Sequence, residues 1–180
     1  ALPICADADA LDRFAARYLN AVRLGEALDI AERHGLPRYE VLQPEYNLYD
    51  RIGYEAELEP MALERGLGVV SYYSLASGFL SGKYRSPADA VRSSARGSTV
   101  VGKYLNPRGE RILSTLDSIA ATHRATAAQV ALAWLTARPS ITAPIASATT
   151  TAQLDELLGG ATLPLSPADI AALDAASSSE

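Results

Sequence analysis

The sequence predicts an α/β protein in which short apolar strands alternate with helices. Three apolar runs, at 40–43, 67–73 and 141–146, are each followed by a segment with helical periodicity. The middle run, LGVVSYY, is apolar almost throughout, which is typical of a strand buried on both faces of a parallel sheet. This alternation predicts about three βα units around a parallel sheet, with further helices at the C-terminal end.

The predicted helices are marked by start and stop residues. In the first helix Leu24, Leu28 and Ala31 share one face, and Gly35 follows as a stop. Capping spacings and Pro at a first helical position mark later starts. Helices are predicted over 21–34, 54–66, 107–124 and 126–138, and two more begin at Thr150 and Ser166, whereas 85–106 is predicted to be a long loop.

Composition favours an ordinary globular domain. The 180 residues are 48% hydrophobic and 21% charged, enough for one domain with a core. A formal charge of −5 argues against a nucleic-acid or anionic-membrane surface, and no apolar run approaches the ~20 residues of a membrane span. Cys5 is the single cysteine, so an internal disulfide is excluded. The start ALPICADADALDR lacks the basic region of a signal peptide, and we expect a cytoplasmic protein.

The stretch SYYSLASGFLSGKYRS, residues 71–86, joins the middle strand to a turn rich in glycine and serine. A P-loop needs four residues between its glycines, but only three separate Gly78 from Gly82, and Tyr84 replaces the required hydroxyl residue, which argues against a nucleoside triphosphatase. Ligand sites of parallel α/β folds lie at the carboxyl ends of strands, and glycine N–H groups and the Lys83 charge suit a phosphate. The alternative is a plain βα turn with a solvated lysine.

Hydroxyl side chains follow the third apolar run, in the segment IASATTTAQLDEL. Ser147, Thr149 and Thr150 precede a predicted helix whose free N–H groups suit a phosphate. The alternative is that Thr150 only caps this helix. A metal-ligand cluster is not evident in the sequence.

Two further strand ends carry side chains that suit a planar ligand. Gln43 follows the first apolar run, where its amide could hydrogen-bond another amide or be an ordinary polar strand end. Tyr72 and Tyr73 end the middle run, where they could stack on a planar ring or pack in the core. Because three strand ends carry residues of this type, the sequence favours a ligand site more strongly than any one of them would alone.

Several segments, taken in order, resemble the aldo-keto reductase family. They are LQPEYNLYDR, YEAELEPMALERGLGVVSYYSLASGFLSGKYRS and AQVALAWLTARPSITAPIASATTTAQLDELLGG. The resemblance implies an α/β fold, a partial (β/α)8 TIM barrel from about the sixth strand onward, in a family that reduces aldehydes and ketones with NADPH. It divides the chain into an unmatched segment, 1–19, and the C-terminal half of a barrel, 20–180.

The resemblance also implies cofactor-binding residues. Gln43 matches a glutamine that holds the nicotinamide amide, and Tyr72 matches an aromatic residue that stacks on the nicotinamide ring. Leu75, Ser77, Gly78 and Lys83 are then expected around the pyrophosphate, and Ser147, Thr149, Gln153 and Glu156 around the adenosine 2′-phosphate and adenine.

Three of these positions depart from the family pattern. Ser147 stands where some members carry lysine, and Gln153 where many carry arginine, so less positive charge is expected near a 2′-phosphate. Leu157 replaces an asparagine that contacts adenine in the family. These departures weaken the expected preference for NADPH over NADH.

The family's catalytic Asp, Tyr, Lys and His lie on or just after the first four strands, and no residue here matches any of them. The positions of a Ser-Asn pair on the fifth strand read Arg17-Tyr18, within the unmatched segment. We therefore expect no carbonyl reduction by these 180 residues alone, as from a truncated gene. A non-catalytic half-barrel that binds nucleotide or acts as an interaction module is the alternative.

A further expectation concerns the edges of the sheet. Three βα units cannot close an eight-stranded barrel, so two strand edges would stay open. We expect the chain to self-associate or to be poorly stable on its own.

Overall fold

A computed structural model describes residues 20–92 and 97–178, so the unmatched segment 1–19, with Cys5, lies outside the described residues. The strands are β1 (Val41–Leu42), β2 (Gly68–Ser71) and β3 (Ala143–Pro144). The helices are α1 (Ala21–His34), α2 (Ile52–Glu55), α3 (Leu58–Arg65), α4 (Asp89–Arg92), α5 (Gly97–Tyr104), α6 (Pro107–His123), α7 (Ala127–Thr136), α8 (Thr151–Ala161) and α9 (Pro167–Ser177).

The three strands form a parallel sheet in the order β1-β2-β3. Val41 pairs with Gly68 on one side of β2, and Ser71 pairs with Pro144 on the other. Within the described part of the chain, β1 and β3 each have one strand neighbour. The predicted α/β class, with three strands alternating with helices, is confirmed.

The strands are shorter than the apolar runs that predicted them. Pro44 follows β1 and Pro144 lies in β3, and proline has no N–H to donate to a neighbouring strand. Pairing continues more irregularly beyond the strands, because the Ile145 N–H donates to the Ser71 carbonyl at 2.8 Å and the Tyr72 N–H donates to the Pro44 carbonyl at 2.9 Å. The carboxyl ends of the strands therefore stay in register.

The predicted helix over 54–66 is wrong in its continuity, because the chain forms α2 and α3 with a break at residues 56–57. Pro60 explains the break. A proline ring clashes with the carbonyl four residues earlier, and Pro60 is accommodated only because it lies in the first turn of α3. Tyr54 and Leu58, four residues apart, both remain buried.

The predicted loop over 85–106 is also wrong, since it contains α4 and α5. Asp89 accepts hydrogen bonds from the Ser86 N–H and hydroxyl at 2.8 and 3.0 Å, which stabilises the start of α4. In α5, Val100 and Tyr104 are spaced by four residues and are both buried. The glycines of this segment obscured a short helix whose apolar face packs on the core.

The core is built around α7, which is buried along most of its length. Trp134 is fully buried, and its indole N–H donates to Asp174 of α9 at 3.1 Å. The guanidinium groups of Arg51 and Arg138 lie 5.2 and 5.1 Å from its ring. These contacts connect the segment after β1 with α7 and α9.

The predicted inner face of α1 is confirmed, since Leu24, Leu28 and Ala31 are all buried. Gly35 ends α1 in the left-handed conformation with φ 61°. Of the helices in residues 20–92 and 97–178, none combines the length and the hydropathy needed to cross a membrane.

Candidate nucleotide site

Parallel pairing brings the three predicted strand-end groups to one edge of the sheet. Gln43 follows β1, Tyr72 follows β2, and Ser147 lies three residues past β3. The side chain of Gln43 is exposed and makes no hydrogen bond to any described residue. Its amide is therefore available to a ligand. An exposed side chain without a partner is equally compatible with the alternative, in which Gln43 is an ordinary polar residue at the end of a strand.

Tyr72 lies at the centre of this edge, half-buried. It pairs with Glu45 in a parallel bridge beyond the strands, and its ring centroid lies 5.2 Å from that of Tyr73. Partial burial raises the pKa of the Tyr72 hydroxyl, and the nearby Glu45 carboxylate raises it further. A neutral, partly exposed aromatic ring at a strand end suits stacking on a planar heterocycle.

The segment after β2, residues 75–83, is called the cradle below. Its central turn is left-handed, with φ values of 49° at Ala76, 55° at Ser77 and 87° at Gly78. For the two residues with a Cβ this conformation costs about 1–2 kcal/mol each. Such strain persists only where the surrounding structure holds it, and it is common at ligand-binding turns.

Two backbone N–H groups of this turn donate to carbonyls of the turn itself. The Gly78 N–H donates to the Leu75 carbonyl at 2.8 Å, and the Ala76 N–H donates to the Tyr73 carbonyl at 2.7 Å. The Ser77 hydroxyl, in contrast, has no hydrogen-bond partner among the described residues. A phosphate at the turn would therefore meet the Ser77 side chain.

Lys83 supplies the positive charge of the cradle. A Cβ placed on Gly78 would lie 2.8 Å from the Lys83 ammonium, so the lysine folds back across the left-handed turn. The ammonium is 5.0 Å from the Tyr84 ring centroid, and no described carboxylate forms an ion pair with it. An anion placed on the turn would therefore meet a cation that has no competing carboxylate.

The start of α8 is well capped. Thr150 accepts a hydrogen bond from the Gln153 N–H at 3.2 Å, so the predicted capping role of Thr150 is confirmed. The side-chain oxygen of Gln153 in turn accepts hydrogen bonds from the Thr149 N–H and hydroxyl at 2.8 and 2.9 Å. Ser147 is exposed and has no side-chain partner among the described residues. This end of α8 offers hydroxyl and amide groups but no fixed cation.

Glu156 lies one turn further along α8 and is half-buried. Its carbonyl accepts a hydrogen bond from the Gln129 side chain at 3.1 Å, which connects α8 to α7. Leu157 is partly buried against the core, so its side chain is committed to packing. The adenine side of the predicted site is thus more apolar than the family pattern implies.

A charged cleft beside Tyr72 was missed at the sequence level. It has a volume of about 330 Å³, and the Lys103 ammonium lies 3.0 Å from Asp50 and 3.4 Å from Glu45. Burial disfavours the charged form of Lys103, but hydrogen bonds to Tyr104 and Asp50 outweigh it and raise the pKa. The residues lie 53 positions apart in sequence, and only the helix α5, which was predicted as loop, brings them together.

The residues at this edge carry the kinds of group that suit a planar ring and a phosphate. They combine a free amide, an aromatic ring, an unpaired hydroxyl beside a lysine, and a capped helix start, in the order of the chain. The described residues contain no group of three or more side chains that could hold a metal ion. The class defined by fold and edge is therefore a parallel α/β protein with a candidate dinucleotide site at its strand ends.

Comparison with known proteins agrees with this class. The sequence model of the Aldo/keto reductase family matches residues 20–178. A probable voltage-gated potassium channel β subunit of Arabidopsis thaliana is 33% identical over 140 residues, which is 76% of this chain and 43% of that protein. A probable aldo-keto reductase of Glycine max is 29% identical over 141 residues, 78% of this chain and 40% of its own length.

A third relative is the protein tas of Escherichia coli, 28% identical over 148 residues, which is 82% of this chain and 42% of that protein. The chain thus spans less than half the length of the curated relatives it matches. It belongs to the aldo/keto reductase family. The small parallel sheet with its helices confirms the predicted partial TIM barrel of this family.

Proposed function

We propose that the strand-end edge binds NADP(H) and that the chain supplies the cofactor side of an NADP(H)-dependent reductase of aldehydes and ketones. The observation that carries the proposal is the convergence of Gln43, Tyr72 and the cradle at one edge of a parallel sheet, each with a free functional group. Membership of the aldo/keto reductase family supports it.

Each residue has a defined role in this proposal. The Gln43 amide holds the nicotinamide carboxamide, and the Tyr72 ring packs against the nicotinamide and keeps water from one of its faces. Ser77 and Lys83 bind the pyrophosphate by a hydrogen bond and by charge, with Leu75 and Gly78 setting the shape of the cradle. NADPH, when bound, supplies a hydride for carbonyl reduction.

The adenosine end is proposed to lie at the start of α8. Ser147 offers an unpartnered hydroxyl group to the 2′-phosphate, whereas Thr149 can donate its hydroxyl only by releasing the Gln153 side chain that it now binds. Gln153 is held beside Thr149, and Glu156 lies toward the adenine. Because these groups are neutral apart from Glu156, the 2′-phosphate gains hydrogen bonds but little ionic attraction there. The proposed preference for NADPH over NADH is correspondingly small, and the ratio of the two dissociation constants measures it.

The test is a titration of the purified chain with NADPH, followed by the fluorescence of the nucleotide. Tyr72→Ala removes the stacking surface, and Ser77→Asp places a negative charge in the cradle, so both are expected to abolish saturable binding. The matched controls are Leu63→Ala, whose side chain is about half exposed on α3, and Ser114→Asp on the exposed face of α6. Equal loss of binding in variants and controls, or no binding by the unmodified chain, contradicts the proposal.

We also propose that these 180 residues do not reduce carbonyls by themselves, because no residue matches the family's proton donor. A purified chain that consumes NADPH in the presence of small aldehydes, at a rate abolished by Tyr72→Ala, overturns this part. The second candidate is a non-catalytic nucleotide-binding or interaction half-barrel, which the similarity to a potassium channel β subunit favours. NADPH binding without turnover by the chain alone is expected of both candidates, and carbonyl reduction that begins only when a chain carrying the family's catalytic residues is added distinguishes the reductase.

Self-association is the last part of the proposal. An apolar groove of about 370 Å³ lies against the open edge of β3, between α7 and α8, with Leu154 and Leu158 exposed at its rim. At the other edge Val41 of β1 is 55% exposed. We propose that copies of the chain associate through these edges and that the protein is cytoplasmic, where a single cysteine stays reduced.

A further inference from the structure

The strained turn of the cradle is supported by an aromatic cluster that the proposed function does not use. Phe79, within the cradle, is fully buried and stacks on Tyr104 of α5, with ring centroids 5.4 Å apart and an interplanar angle of 24°. Tyr49 meets both rings edge-on, at 4.9 Å from Tyr104 and 6.5 Å from Phe79. The position of Phe79, two residues after Ser77, therefore depends on where Tyr104 is held.

The Tyr104 ring is fixed by its hydroxyl, which donates to the Asp50 carboxylate at 2.8 Å. Asp50 is itself held on several sides. Its backbone N–H donates to the side-chain oxygen of Asn47 at 2.9 Å, the side-chain NH2 of Asn47 donates to its carboxylate at 3.3 Å, and the Lys103 ammonium lies 3.0 Å away. The carboxylate is thus a fixed acceptor aimed at Tyr104.

The same network reaches the start of the cradle from the other side. The buried Asn47 amide donates to the carbonyl of Tyr73 at 3.1 Å, and Tyr73 has a left-handed φ of 54°. Asp50 is therefore linked to two left-handed segments: to Tyr73 through Asn47, and to residues 76–78 through Tyr104 and Phe79. Its contacts link the chain before the cradle to the ring that packs beneath it.

We propose that Asp50 and Tyr104 are positioning residues for the cradle, which hold the left-handed turn at residues 76–78 in its binding conformation before a nucleotide arrives. The ligand of the cradle is taken from the proposed function. The positioning itself does not depend on the ligand, because it concerns the conformation of the free protein. Neither residue is proposed to touch the nucleotide.

The test compares two variants that each remove one buried tyrosine hydroxyl bonded to a carboxylate. Tyr104→Phe breaks the bond to Asp50, whereas the control Tyr46→Phe breaks a 2.6 Å bond to Glu55 in the Trp134 network. Both are expected to lower the thermal midpoint. Only Tyr104→Phe is expected to speed hydrogen–deuterium exchange of the amides at 76–82 in the free protein and to weaken NADPH binding about tenfold, the loss expected for a hydrogen bond to a charged group.

Two substitutions of Asp50 test whether a hydrogen-bond acceptor at this position is enough to hold Tyr104. Asp50→Asn keeps an oxygen that can accept from Tyr104 and is expected to retain exchange protection within about twofold of the unmodified protein, whereas Asp50→Ala is expected to match Tyr104→Phe. If Asp50 has only a structural role, Asp50→Asn and Asp50→Ala are both expected to lower the thermal midpoint without changing exchange at residues 76–82. If Tyr104→Phe fails to fold, the comparison of Asp50→Asn with Asp50→Ala decides the question.

Unchanged exchange at 76–82 in both Tyr104→Phe and Asp50→Ala overturns the inference, as does equal loosening in Tyr46→Phe. Failure of the proposed function has a different signature. In that case the unmodified chain binds no NADPH, while Tyr104→Phe still loosens the cradle and Tyr46→Phe does not.

Discussion

At the residue scale, the candidate site depends on side chains at two strand ends and on the left-handed turn at residues 76–78. Gln43 and Tyr72 follow strands, and parallel pairing brings them to one edge as their positions predicted. The inward bonding of the Gly78 N–H could not be predicted, because it depends on three consecutive left-handed residues, two of which are not glycine. The commitment of Gln153 to Thr149 depends likewise on a local rotamer.

Gly78 gives the sharpest residue-scale prediction, because its φ is 87° and an added Cβ would lie 2.7 Å from the Lys83 side chain. Gly78→Ala is expected to lower the free energy of unfolding by about 1 kcal/mol and to displace Lys83, which weakens NADPH binding. Calorimetry and nucleotide titration measure the two effects.

The control is Gly102→Ala, in the exposed part of α5, where an added Cβ meets no atom within 4 Å. This substitution is expected to raise stability by about 0.5–1 kcal/mol, since alanine favours a helix. A stabilised Gly78→Ala protein with unchanged NADPH affinity would show that the left-handed turn is not needed.

At the element scale, the long helices were predicted within one or two residues because their caps are local. Thr126 with Gln129 and Ser166 with Asp169 form the two observed capping boxes. The short helices α4 and α5 were not predicted, since α5 depends on the burial of Val100 and Tyr104 and α4 on hydrogen bonds between Ser86 and Asp89. The break between α2 and α3 was predictable in principle, because Pro60 cannot continue a helix from Ile52.

Asp169 at the start of α9 carries a pH-dependent prediction. Hydrogen bonds from the Ser166 hydroxyl and N–H, at 2.7 and 2.9 Å, lower its pKa, with a further contribution from His123 at 3.0 Å. A lowered folded-state pKa stabilises the fold above the ordinary carboxyl range, near pH 4, and this contribution is lost as the pH falls through the lowered value.

Asp169→Asn is therefore expected to lower the free energy of unfolding at pH 7 by about 0.5–1 kcal/mol, and the difference from the unmodified protein is expected to shrink below about pH 4. Thermal melts at a series of pH values measure it. Asp155→Asn, an exposed position of α8, serves as the control and should show no such trend. If the difference in free energy of unfolding between Asp169→Asn and the unmodified protein grew as the pH falls, the prediction would be contradicted.

At the scale of the whole molecule, the family and the partial barrel could be predicted because several motifs occur in order. The interior around Trp134 could not be predicted, since its partners Arg51 and Asp174 come from segments distant in the sequence and only Arg138 is near it. The charged cleft at Asp50 and Lys103 was not predicted, because these two residues are also distant in the sequence. Long-range pairing of polar groups leaves no periodic signal in a sequence.

The open sheet edges lead to a prediction about assembly. Trp134 is the one tryptophan in the chain and is fully buried, so its emission reports unfolding. If copies associate through the edges, the thermal midpoint followed by this emission is expected to rise with protein concentration.

Leu158→Lys places a charge in the groove beside β3 and is expected to remove that concentration dependence. Leu63→Lys, on an exposed position of α3, is the control and should leave it in place. A midpoint independent of concentration in the unmodified chain, with a monomer in size-exclusion chromatography, would exclude association through the edges.

Hydrogen–deuterium exchange with and without NADPH is the most direct test of the proposal that the strand-end edge is the nucleotide site. If NADPH binds there, it is expected to protect the amides of the segment 72–83 and of 147–153 at the start of α8, with no change in α1 or α9. Protection confined to the groove beside β3 or to the cleft at Lys103, or no protection anywhere at saturating NADPH, would contradict it.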